Sequence, residues 1–166
     1  MPIKTFKEPV TMVIKVQIKE FCILRVSVNP TSKADILYWP LFLKMELSES
    51  MLKPCEESHL KGVIREGVTV KGYIDLDTII GEGMISVRYL VVDSPSPYNI
   101  VIGHPALKTL KAFIRLPNLT LEYPIQSPDG EVGVCIVEAD LEMAKKCHIM
   151  CLPTVCRIAS EEVSLE

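Results

Sequence analysis

What this chain lacks narrows its function before any motif is considered. No apolar run approaches the roughly 20 residues that span a bilayer, and the longest, Ile36 to Leu43, is broken by Pro40. Lys4, Lys7 and Glu8 have no continuous apolar segment behind them, so no signal peptide is read. A basic excess is missing too: 18 Lys and Arg stand against 21 Asp and Glu, a net charge of −3 with a pI near 5.7. Neutralising phosphates needs clustered cations, so no direct nucleic-acid partner is expected, and no membrane partner either. There is no internal repeat. The expectation is a soluble protein, intracellular and cytoplasmic.

Zinc-type cysteine spacing is absent as well. The six cysteines are Cys22, Cys55, Cys135, Cys147, Cys151 and Cys156. Without an export signal they are read as free thiols. The cluster of Cys147, His148, Cys151 and Cys156 has ligand types that suit zinc. Its C-H-x2-C-x4-C order, however, is neither a paired C-x2-C nor a retroviral-type knuckle, so no metal and no cofactor is expected.

What is present suits one packed core. The chain has 166 residues, 48% of them hydrophobic and 23% charged, which fits a single ordinary domain with a short tail. From Val10 to Ile18, apolar residues alternate with Thr11, Lys15, Gln17 and Lys19, the pattern of a half-buried strand. Phe21 to Val28 is more continuously apolar, as in a strand covered on both faces, and the two suggest a hairpin around Lys19 and Glu20. Val68 to Leu76, Ile85 to Val92, Ile100 to Ile102 and Leu119 to Tyr123 read as further strands between Gly, Pro and Asp punctuation. Pro40 can open a short helix that packs Leu41, Phe42 and Met45. A second helix is predicted between Gly103 and Phe113, with Leu107 and Leu110 facing inward. A third spans Asp140 to Cys151, with Asp140 as its cap, and from Pro153 onward a loosely ordered tail is expected.

The segment VSVNPTSKADILYWP, Val26 to Pro40, carries the functional signal. It resembles the aspartic protease segment of gypsy-type retroelement polyproteins, those of plants in particular, where an apolar strand delivers an Asp-Thr-Gly type turn followed by S-S-A-D-I-L-Y. Ala34 to Pro40 match directly and Ser32 holds one of the two serines. Counting back from Ala34 places Lys33 at the second serine, Thr31 at the glycine, Pro30 at the Thr/Ser position and Asn29 at the catalytic aspartate. The match extends to GYIDL (Gly72 to Leu76), to ISVRYLVVDSPSPYNIVIGHP (Ile85 to Pro105) and to ALKTLKA (Ala106 to Ala112). LTLEYP (Leu119 to Pro124) and ADLEMAKKCH (Ala139 to His148) continue it, so the resemblance covers about Val10 to His148.

The resemblance implies a mainly β fold: a closed, retropepsin-like barrel of a single lobe, with a short C-terminal helix and an appended helical tail. It places a retropepsin-like aspartic protease domain at 1–125 and a C-terminal linker or tail with one amphipathic helix at 126–166. A single lobe brings a single catalytic turn, so a complete site implies a homodimer, with polypeptide the substrate of an active form. The resemblance also allows a location inside a retroelement particle.

The same comparison removes the chemistry. Aspartic proteolysis uses two carboxyl groups that share one proton, and the ionised one takes a proton from the attacking water. The carboxamide of Asn29 cannot act as that base near neutral pH. Pro30 lacks both the hydroxyl and the N–H with which the family's Thr or Ser locks the two turns of a dimer. Thr31 puts a β-branched side chain where glycine allows close approach. No catalytic residue is intact, and Asp75, Asp77 and Asp93 read as solvent-facing charges. The flap candidates are Gly62, Val63, Ile64, Arg65 and Glu66, with Arg65 where a tip glycine is expected; a plain surface hairpin is the alternative there. Asn99 and Gly103 match the apolar-apolar-Gly element beneath the site and are read as structural. The expectation is a degenerate retrotransposon aspartic protease domain, inactive because Asn29 replaces the catalytic Asp. The alternative is a non-catalytic dimerisation or partner-binding module that retains the fold.

Overall fold

The structure is a computed structural model that describes residues 11–55, 68–150 and 163–165. Six strands close a barrel: β1 (Met12–Ile18), β2 (Phe21–Val28), β3 (Asp35–Tyr38), β4 (Thr69–Ile80), β5 (Gly83–Asp93) and β6 (Ile100–Ile102). They are ordered β1-β4-β5-β3-β6-β2, and β2 pairs back onto β1. Two pairings, β2 with β6 and β3 with β5, are parallel; the others are antiparallel. β1 buries alternate residues as its sequence pattern predicts, and β2 is covered along most of its length. The turn between them sits at Lys19, which takes φ 55°.

Between the β1–β2 pairs Ile14↔Val26 and Val16↔Ile23, β2 contains one extra residue. Arg25, at φ 57° inside this bulge, lets the strand bend. The bend matters for the site because the last three residues of β2, Val26 to Val28, leave the bulge to run parallel to Ile100 to Ile102.

β3 is the barrel strand that the sequence reading missed. Asp35–Tyr38 carries no strand signal of its own, yet it pairs with both β5 and β6. Four residues are too few to display a period, and pairing at long sequence separation decides the outcome. Helix α1 (Trp39–Lys44) follows at once, with proline in its first turn and Leu41 and Phe42 buried. The β4–β5 hairpin runs further than predicted, to a tight turn at Gly81 (φ 67°) and Glu82.

Helix α2 (His104–Leu110) connects the barrel to a second sheet, β7 (Phe113–Arg115), β8 (Thr120–Gln126) and β9 (Val132–Glu138), in the order β7-β8-β9. β7 and β9 were not read from the sequence. The inner face of this sheet carries Leu121, Tyr123 and Cys135 into the main core with Ile14, Leu37, Phe42 and Ile102. Burying each of the Leu, Ile and Phe side chains among them contributes about 1.5–3 kcal/mol. Tyr123 also ties the two sheets together: its hydroxyl donates to Ile80 O and accepts from Gly83 N–H at 2.8 Å. Helix α3 (Leu141–Met150) is capped by Asp140, whose carboxylate accepts from Met143 N–H at 3.1 Å. Its Met143 and Cys147 cover Val13 on the outside of the barrel. A short strand, β10 (Val163–Leu165), lies within the expected loose tail and adds to β2 at Phe21–Ile23.

Candidate functional site

The barrel places the Asn29 turn at the mouth of the β2–β6 pair. The Asn29 N–H continues the ladder to Ile102 O at 2.9 Å, and Ser32 N–H then donates to Asn29 O at 3.1 Å, closing a β-turn. Asn at the first position and Pro at the second are favoured in such turns: Asn bonds its own backbone two residues on, and Pro pre-sets φ. The Asn29 side chain does this. Its Oδ1 accepts from Thr31 N–H at 3.0 Å and from Thr31 Oγ1 at 2.6 Å. Asn29, Pro30 and Thr31 thus form a turn whose polar groups bond to each other on an exposed surface.

The loop beyond the turn is clamped to the start of α2. Ser32 O accepts from His104 N–H at 2.9 Å, and Ser32 Oγ donates to Ala34 O at 2.7 Å. Gly103 is required here by space. A Cβ at this position would lie 2.4 Å from Ala34 O and 2.9 Å from Ser32 O. Asn99 works one step deeper: its Nδ2 donates to Leu24 O at 2.8 Å, its N–H to Arg25 O at 2.9 Å, and its O accepts from Tyr38 N–H at 3.0 Å. These bonds run across the sheet to the β2 bulge and the end of β3, rather than within its own turn.

Asp35 is the site residue the sequence reading did not single out. It is buried, with 2% of its surface exposed. Its Oδ1 accepts from Gly103 N–H at 2.6 Å, and Ala106 N–H also faces the carboxylate. Burial raises its pKa to about 6, against the lowering effect of those two N–H groups. The only signal in the sequence was an acid opening the apolar run DILY. Because α2 and the turn hold this carboxyl inside, it fixes the loop and has no free access to a substrate.

This burial gives stability a pH dependence. The folded pKa lies above the unfolded value, so between about pH 4 and 6 the folded state binds more protons. The contribution is fully present below the unfolded pKa and is lost as pH rises through about 6. The loss is on the order of 2–3 kcal/mol. Asp35→Asn keeps an oxygen for Gly103 N–H and cannot ionise. Urea unfolding across this pH range is expected to slope downward for the unmodified chain and to flatten for Asp35→Asn; parallel slopes would remove the assignment.

The other candidates are dispersed. Asp75 and Asp77 project from β4 into solvent, and Asp93 is exposed at the end of β5. Asp75 pairs with Arg88 at 2.9 and 3.2 Å, and this bond holds its carboxyl below the usual range. Gly62, Val63, Ile64, Arg65 and Glu66 lie outside the described residues, as do Cys151 and Cys156. Cys147 is buried with its Sγ 3.6 Å from Pro97 O, whereas its neighbour His148 is exposed. Among the described residues no three His, Cys, Asp or Glu come together as metal ligands. No helix among them is long and apolar enough to cross a membrane.

No protein-family pattern matches the chain, and no curated protein matches it. Among solved structures, it is similar to the retroviral protease-like domain of Ddi1 from Leishmania major, with a TM-score of 0.57 and 12% identity. The alignment covers 81% of this chain and 94% of that one. At such low identity the likeness is one of fold, and it agrees with the closed six-stranded barrel: the chain is a mainly β, single-lobe retropepsin-like domain.

Proposed function

We propose that this chain is a degenerate aspartic protease domain of a gypsy-type retrotransposon gag-pol polyprotein, which keeps the fold of an endopeptidase and has lost its chemistry. Intact relatives of this kind would cut their own polyprotein into capsid, reverse transcriptase and integrase products. The observation that carries the reading is the closed Asn29 turn, whose side-chain oxygen is taken by two donors from Thr31. A carboxamide held this way cannot share a proton with a second copy, and Pro30 offers no donor to lock a partner's turn. Peptide-library cleavage at mildly acidic pH tests it. The purified chain is expected to cut nothing above buffer. Turnover that an aspartic protease transition-state inhibitor blocks would overturn the reading.

The second reading, a non-catalytic dimerisation module, is favoured by the outer face of the β7-β8-β9 sheet. Phe113, Val132, Val134 and Ile136 are all at least half exposed there. The register puts Phe113 in one row with Ile136, and Val134 in the next row beside Pro124. The far edge of β9 carries no strand among the described residues. An apolar face with an open edge suits a second copy of the chain. Sedimentation separates the readings: a monomer that cuts nothing is a folded relic, and a stable dimer is a module.

A further inference from the structure

At the β7 edge of this sheet, between α2 and β7, a groove of about 390 Å³ opens beside the Asn29 turn. This volume falls within the roughly 300–1,000 Å³ range of ligand clefts. Its floor is apolar. Leu107 and Leu121 are buried beneath it, Ile114 is half-buried in its wall, and Phe113 stands half exposed at its lip. Lys108 of α2 and Lys111, which caps its C-terminal end, line it, and neither has an acidic partner among the described residues. No Asp or Glu lines it. Lys108 and Lys111 thus give the apolar floor a basic rim with no acid in the lining.

We propose that this groove is a docking site for an acidic peptide segment that buries a bulky apolar side chain against Leu107 and Leu121 and sets its carboxylates beside Lys108 and Lys111. Charge decides the occupant. A neutral apolar segment would leave both ammonium groups close to a desolvated contact without compensation. A basic segment would be repelled. An acidic one gains on-rate and specificity from the paired charges, while the apolar anchor supplies the burial. Exposed lysines rest free in water at little cost, so the site stands ready without a ligand. The proposal goes beyond the loss of catalysis and holds whether or not the chain cuts peptides.

The test is fluorescence polarisation with a dye-labelled peptide, Glu-Glu-Leu-Phe-Glu-Glu, and the folded chain. Saturable binding that weakens with added salt is expected. The Lys108→Glu, Lys111→Glu double variant is expected to stay folded with a slightly lower urea midpoint, since acids replace bases at the C-terminal end of α2, and to bind about tenfold more weakly, roughly 1.4 kcal/mol. Phe113→Ser removes the apolar lip without touching charge and is expected to weaken binding too. Failure of the folded chain to bind overturns the proposal, as does equal binding of a peptide with Lys in place of Glu. An unaffected double variant does the same. Sedimentation of the same samples covers the remaining occupant: a dimer that the double variant dissociates would give the groove to a second copy and overturn the peptide assignment.

Discussion

The triple variant Asn29→Asp, Pro30→Thr, Thr31→Gly is expected to hydrolyse peptides at mildly acidic pH, on the order of 10²–10⁴-fold above the unmodified chain. All three changes are needed, for reasons visible in the turn. Asn29→Asp alone supplies a carboxylate, but Thr31 N–H and Oγ1 would still hold it at the distances they hold the amide oxygen, 3.0 and 2.6 Å. Two donors to the ionised form favour it and depress the pKa, away from the shared proton that the mechanism uses. Thr31→Gly removes the hydroxyl donor and the branched side chain. Pro30→Thr restores a backbone N–H and a hydroxyl for the partner's turn. Cleavage by the triple variant that an aspartic protease inhibitor blocks, with none by Asn29→Asp alone, would place the loss at this turn. Activity in the single variant would refute the idea that Thr31 captures the carboxylate. A silent triple variant would show that the turn is not the only part lost.

Gly103→Ala is expected to destabilise the fold by about 3 kcal/mol or more, the upper end for overpacking. The new Cβ would meet backbone oxygens, Ala34 O at 2.4 Å and Ser32 O at 2.9 Å, and no side-chain rotation relieves such contacts. To admit it, α2 must move away from the loop, which breaks the 2.9 Å bond from His104 N–H and pulls the Gly103 N–H from the Asp35 carboxylate. Since domains of this size are stable by about 5–15 kcal/mol, the urea midpoint should drop visibly. An unchanged midpoint would mean that the clamp between turn and helix is looser than its geometry.

Much of the barrel was legible in the chain because its longer strands carry their own period. The alternation in Met12–Ile18, the continuous apolar run of Phe21–Val28 and the β-branched stretch of Thr69–Ile80 each span enough residues to state which face is buried. Leu107 and Leu110 gave α2 its inner face, and both are buried. The short strands were not legible. Asp35–Tyr38 and Phe113–Arg115 contain one or two residues per face, and β9 exposes Val132, Val134 and Ile136, so burial could not mark it.

By itself the sequence determined that the Asn29-Pro30-Thr31 turn carries no titratable side chain, because ionisation is a property of residue type. It also determined the main strands, whose periodicity is local. Only the tertiary structure decided that Asn29 Oδ1 is engaged by Thr31, that Asp35 is buried against Gly103, and that Lys108 and Lys111 share a groove with Leu121. Each of these depends on what another part of the chain brings within a few ångströms. Desolvation, hydrogen bonding and charge pairing are properties of that neighbourhood and not of the residue alone.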